Sequence, residues 1–80
     1  MNAFTVNYFG LLVERRGLSE ETVQSTAETP ASLYAELDAA HQLGLAIGNF
    51  RVAVNDEFVP WNYPLNTGDR IALLPPMSGG

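Results

Sequence analysis

The chain has 80 residues and 46% apolar content, enough to close one small domain around a core without metals or disulfides. A charged fraction of 16% is too low for a disordered chain, and the lack of cysteine excludes disulfide frameworks, thiolate metal sites and an intrinsic sulfur nucleophile. Nine acids against four arginines give a net charge of −5, which argues against nucleic acid, whose phosphates need clustered cations, and suits a protein partner with a basic groove. The opening MNAFTVNYFG carries no basic leader and no run approaches a bilayer span, so neither a signal peptide nor a membrane is expected, and a cytoplasmic location is.

Residues Ala3 to Phe9 alternate as a strand, with Phe4, Val6 and Tyr8 on one face and Thr5 and Asn7 on the other. Phe9 breaks that alternation by placing an aromatic on the polar face. GLLVERRG, bounded by Gly10 and Gly17, reads as a short helix or turn, and Glu21 to Ala27 as a second, more exposed strand. Thr29 and Pro30 announce a helix as N-cap and first helical residue. Its buried stripe is expected at Leu33, Leu37 and Ala40, with Tyr34 and His41 at the edge and Gly44 as the stop. GLAIGN is loop-like. FRVAVN places Phe50, Val52 and Val54 inward, and Asn55-Asp56 supplies turn chemistry for a hairpin to Glu57–Val59. PWNYPLNTGD is a loop punctuated by Pro and Gly, and a last strand runs from Arg70 to Leu74.

The order β-β-α-β-β-β gives a two-layer α+β domain over residues 1–74, with one main helix covering a mixed sheet. The first and last strands are expected side by side and parallel, joined by a crossover, which is the β-grasp or ubiquitin-like arrangement.

Residues 75–80, PPMSGG, read as a flexible tail. The bland alternative is a frayed end or an added remnant. Three features point elsewhere. The double proline Pro75-Pro76 cannot continue a sheet, so the chain leaves the fold there. From Pro75 through Met77 and Ser78 to Gly80 the chain reaches about 20 Å when extended. Gly79 and Gly80 lack side chains and would pass a channel that any Cβ blocks. A free carboxylate is ionised at neutral pH and is a poor electrophile, so it needs activation as an acyl-adenylate. No Gly-rich phosphate loop or set of catalytic bases is visible, which makes the chain a carrier or substrate of other enzymes and not a catalyst.

At these residues the sequence resembles a known family. PLNTGDRIALLPPMSGG is similar to the end of the small, sulfur-carrying subunit of molybdopterin synthase, VNYFGLLVERRG to its first strand and helix, and VAVNDEFV to its central hairpin. VAVN alone is shared with the thiamine-pathway sulfur carrier, while Pro-Pro before the tail and the N-terminal strand-helix pattern favour the molybdopterin branch. The resemblance implies that an E1-like activating enzyme uses ATP to adenylate Gly80, and that sulfur relayed from a persulfide by a sulfur-transferring protein makes the thiocarboxylate. The tail then enters the large catalytic subunit and donates sulfur to cyclic pyranopterin monophosphate. No cofactor bound to the chain itself is implied. Leu74 stands where an aromatic is common, and Arg15 and Arg16 are more polar than in some relatives.

By strand parity Phe9 and Leu74 face away from the core, and Phe58 can join them as a docking patch; the alternative is a bulge that returns one or more to the core. His41 has no visible metal or catalytic partner and reads as a helix-edge residue. Trp61 and Tyr63 are expected to anchor their loop, Arg15 and Arg16 to be a solvated face, and Asp69 to serve the turn before the last strand. A carrier for thiamine synthesis or tRNA thiolation, a ubiquitin-like protein modifier and a regulatory β-grasp module stand as the other readings.

Overall fold

A computed structural model describes residues 1–75. The elements are β1 (Asn2–Tyr8), α1 (Leu11–Arg16), β2 (Glu20–Ser25), α2 (Pro30–His41), a 3-10 turn (Ile47–Asn49), β3 (Arg51–Val54), β4 (Glu57–Val59) and β5 (Arg70–Leu74). The strands form one sheet in the order β2-β1-β5-β3-β4, in which β1 and β5 are parallel and all other pairs antiparallel. This is the β-grasp, ubiquitin-like fold expected of the sequence.

The alternation of β1 sends Phe4, Val6 and Tyr8 into the core, each at most 1% exposed. Register carries the same parity across the sheet. Val6 pairs with Ile71 and Tyr8 with Leu73, and Val52 lies opposite Leu73 on the other side. Against this face lie Leu33, Tyr34 and Leu37 of α2, together with Leu12 of α1 and Leu43 beyond the helix. Thr29 and Ser32 form a reciprocal capping box at the start of α2, with Pro30 in its first turn. Asn55 and Asp56 both take positive φ, 52° and 72°, so the β3–β4 hairpin closes on the two-residue turn expected of them.

Four local expectations need correction. β2 ends at Ser25 and not at Ala27, because the Ser25 hydroxyl accepts the Ala27 N–H (2.8 Å) and turns the backbone out of the ladder. The buried stripe of α2 includes Tyr34, while Ala40 is exposed. Tyr34 is drawn inward by edge-on contacts with Phe50 and Trp61, at ring-centre distances of 5.0 and 6.4 Å, and its hydroxyl donates to the Leu45 carbonyl. The helix stops at His41: the Gln42 N–H still bonds to the Asp38 carbonyl, but Gln42 turns left-handed at φ 55° and the Asp38 carboxylate accepts the Gly44 N–H beyond it. Arg16 is not a solvated residue; it makes two hydrogen bonds of 2.8 Å to the Glu21 carboxylate.

Candidate docking groove at the end of the parallel strand pair

The side of the sheet away from α2 divides into a polar end and an apolar end. At the polar end Arg70 donates to Asn7 and Glu20, and Asn7 also donates to Glu20, tying β5, β1 and β2 together. Ala72 and Ala53 lie opposite one another near the centre. The apolar end is where β1 and β5 both stop. Their parallel register pairs Tyr8 with Leu73, so the next residues, Phe9 and Leu74, emerge together. Arg51, which starts β3, pairs with Leu74 on the other side, and Phe58 of β4 pairs with Ala53, two residues further along β3.

These positions line one groove of about 1160 Å³, and Phe9, Phe58 and Leu74 all face it. Phe9 is 44% exposed and Phe58 65%, so neither has been returned to the core by a bulge. Pro75, the last described residue, is also on the wall. The remaining tail residues singled out by the sequence, Pro76, Met77, Ser78, Gly79 and Gly80, lie outside the described residues.

Among the wall residues not anticipated from the sequence are Leu11, Leu45 and Arg51. Leu11, 41% exposed, projects from the first turn of α1, and Leu45 arrives from the loop after α2. Arg51 holds its guanidinium carbon 5.5 Å from the centre of the Phe58 ring. A signal for Arg51 was present in FRVAVN, where parity puts it on the face opposite Phe50 and Val52. Leu11 and Leu45 left none, since only tertiary folding brings them to β5.

The groove is held by ordered neighbours. Gly10 joins β1 to α1 at φ 58°, ψ −132°, and a Cβ there would sit 3.1 Å from Pro75 Cγ. Arg15 donates to the Leu43 carbonyl (2.8 Å), and Tyr34 to that of Leu45 (2.7 Å), fixing the loop that supplies one wall. Glu21 receives Arg16 and the Tyr8 hydroxyl together. The Arg16 hydrogen bond leads in holding the Glu21 carboxyl below its ordinary value, and burial leads in pushing the Tyr8 phenol well above its own. These groups brace β1, α1 and β2 behind the groove.

The other candidates have structural roles. Asp69 is buried and accepts from the Asn66 amide (2.8 Å) and the Asn55 side chain (3.0 Å), which is the turn chemistry expected. Trp61 anchors its loop edge-on to Phe50, whereas Tyr63 is 37% exposed and does not share that role. His41 is half-buried at the end of α2, and no cluster of potential metal ligands occurs among the described residues. No helix among them is long and apolar enough to cross a membrane.

Comparison with known proteins places this geometry in a family. Residues 6–80 match the ThiS family. One chain of the complex of subunits 1 and 2 of molybdopterin-converting factor from Helicobacter pylori 26695 is 30% identical, covers 98% of this chain and 99% of its own, and superposes with a TM-score of 0.68. SAMP1 from Haloferax volcanii is 25% identical over 99% of this chain and 100% of its own, with a TM-score of 0.82. A chain of the BexX/CysO complex of Amycolatopsis orientalis shares the fold at 24% identity and a TM-score of 0.72, covering 96% of this chain and 99% of its own. The chain belongs to the ThiS family of ubiquitin-like sulfur carriers.

Proposed function

We propose that this protein is the sulfur-donating small subunit of a molybdopterin synthase. The Gly80 carboxylate attacks the α-phosphate of ATP on an E1-like activating enzyme, forming the acyl-adenylate and releasing pyrophosphate. Sulfur from the persulfide of a sulfur-transferring protein then attacks the acyl carbon. AMP leaves, and reductive cleavage of the resulting acyl disulfide by a thiol frees the thiocarboxylate. The tail Pro75–Gly80 carries it into the large subunit, which supplies the catalytic residues and receives the sulfur onto cyclic pyranopterin monophosphate. Gly79 and Gly80 leave the acyl group unobstructed on that path. ATP serves the activating enzyme, and this chain binds no cofactor of its own.

The observation that carries the reading is the convergence of Phe9, Phe58 and Leu74 on one groove whose wall includes Pro75, the residue that leads into the tail. A partner seated there buries two exposed aromatics, each worth about 1–2 kcal/mol, directly beside the departing chain. The 30% likeness to a chain found in a two-subunit molybdopterin-converting complex favours the pterin branch over the thiamine and tRNA thiolation branches. The likeness to SAMP1 favours, as a second reading, transfer of the activated Gly80 to amines of other proteins.

The deciding experiment mixes thiocarboxylated protein with the large subunit and cyclic pyranopterin monophosphate. Formation of the dithiolene product with return of Gly80 to a carboxylate supports the proposal. Amide-linked conjugates to lysines of other proteins, with the pterin unchanged, would transfer the assignment to the modifier branch.

A further inference from the structure

Three of the four arginines have acceptors on their own chain. Arg15 donates to the Leu43 carbonyl, Arg16 to the Glu21 carboxylate, and Arg70 to Asn7 and Glu20. Arg51 is the exception: among the described residues its guanidinium meets neither a carboxylate nor a carbonyl, and lies over the exposed ring of Phe58. It is also the charged residue on the wall of the groove, within a chain whose net charge is −5.

An occupant of the groove would exclude water from Phe9, Leu74 and Phe58, and therefore from the guanidinium beside them. A buried cation without an acceptor is costly, and a cation–π contact offsets only part of the loss. The guanidinium has a planar fork of donors that matches a carboxylate with two parallel hydrogen bonds. The acidity of the rest of the molecule disfavours a broadly acidic partner, so the acid must be local, within a neutral or basic surface.

Resting on the sulfur-carrier reading above, we propose that the groove receives an apolar surface of the partner protein that carries a carboxylate, and that Arg51 pairs with it as the specificity-determining contact. Apolar burial supplies much of the affinity, and the ion pair sets register and excludes apolar surfaces that bring no acid.

The test is titration calorimetry of wild type, R51K, R51M, R51E and F58A against both the large subunit of molybdopterin synthase and the E1-like activating enzyme of the same organism. With the partner that fills the groove, R51M is expected to weaken binding about 10- to 100-fold, R51E more, and R51K less. Thermal unfolding of the Arg51 variants should stay at the wild-type midpoint, since the side chain is exposed. One partner Asp or Glu changed to Arg should restore binding to R51E. If F58A weakens binding but R51M and R51E bind like wild type, this inference falls and the docking reading stands. If no acidic position of the partner couples to Arg51, the inference also falls. If wild type binds neither protein, the sulfur-carrier docking reading falls and takes the inference with it. Self-association of wild type that R51E abolishes would make a second copy the occupant and overturn the proposal.

Discussion

Replacing Gly10 with alanine tests how the junction after β1 supports Pro75 on the groove wall. Gly10 sits at φ 58°, ψ −132°, a conformation near the region that only glycine occupies comfortably. Holding another residue there costs about 1–3 kcal/mol. The lower entropy of the unfolded alanine chain offsets about 0.4–1 kcal/mol of that cost, so the folded state is weakened through strain alone. The new Cβ also lies 3.1 Å from Pro75 Cγ, so Pro75 must give way by a few tenths of an ångström. Gly17 provides the control: at φ 86°, ψ 7° it is left-handed, but a Cβ there meets nothing within 4 Å. Gly17→Ala should therefore cost about 1 kcal/mol and Gly10→Ala about 2 kcal/mol, or roughly 4–8 °C in melting temperature per kcal/mol for a domain of this size. Urea unfolding monitored by circular dichroism reads both, and the variants should share one m-value. Partner binding should weaken for Gly10→Ala and hold for Gly17→Ala. Equal stability losses, or a Gly10→Ala variant as stable as wild type, would refute the close packing of Gly10 on Pro75.

Phe58→Ala should change unfolding free energy by less than about 0.5 kcal/mol, because the ring is exposed, while weakening partner affinity by calorimetry. Tyr34→Phe removes the hydrogen bond to the Leu45 carbonyl, and should cost about 1 kcal/mol in urea unfolding and loosen the groove wall at Leu45 by amide hydrogen exchange. The folded Glu21 carboxyl titrates below its unfolded value, chiefly through the Arg16 hydrogen bond, so its contribution to stability is full above the unfolded value and is lost as pH falls through the lower folded value. Glu21→Gln should accordingly flatten the acid limb of a stability–pH profile while leaving a deficit at neutral pH.

Much of the fold was legible because its signals are local. The alternation of Phe4, Val6 and Tyr8, the Thr29-Pro30 helix start and the Asn55-Asp56 turn each act through neighbouring backbone, and each stands as read. The misplaced boundaries arose where a side chain competes with the backbone. Ser25 captures the Ala27 amide, and Asp38 captures that of Gly44, neither of which a periodicity reveals. Tyr34 joined the core because Phe50 and Trp61 arrive from far along the chain. The same division runs through the groove. Parity put Phe9 and Leu74 on the face away from the core, since Phe9 follows β1 directly and Leu74 closes β5, and Phe58 joins them from β4. Leu11 and Leu45 come from a helix turn and a loop whose positions only tertiary contacts fix. Arg16 finds Glu21 across the turn between α1 and β2, a pairing that helix spacing does not contain.

The most direct measurement is the mass of the C-terminal peptide after incubation with the activating enzyme, ATP and a persulfide donor. Replacement of one oxygen by sulfur at Gly80, abolished by omitting ATP, is the result expected. An unaltered Gly80 in a reaction where the same enzyme charges another member of the ThiS family would contradict the account.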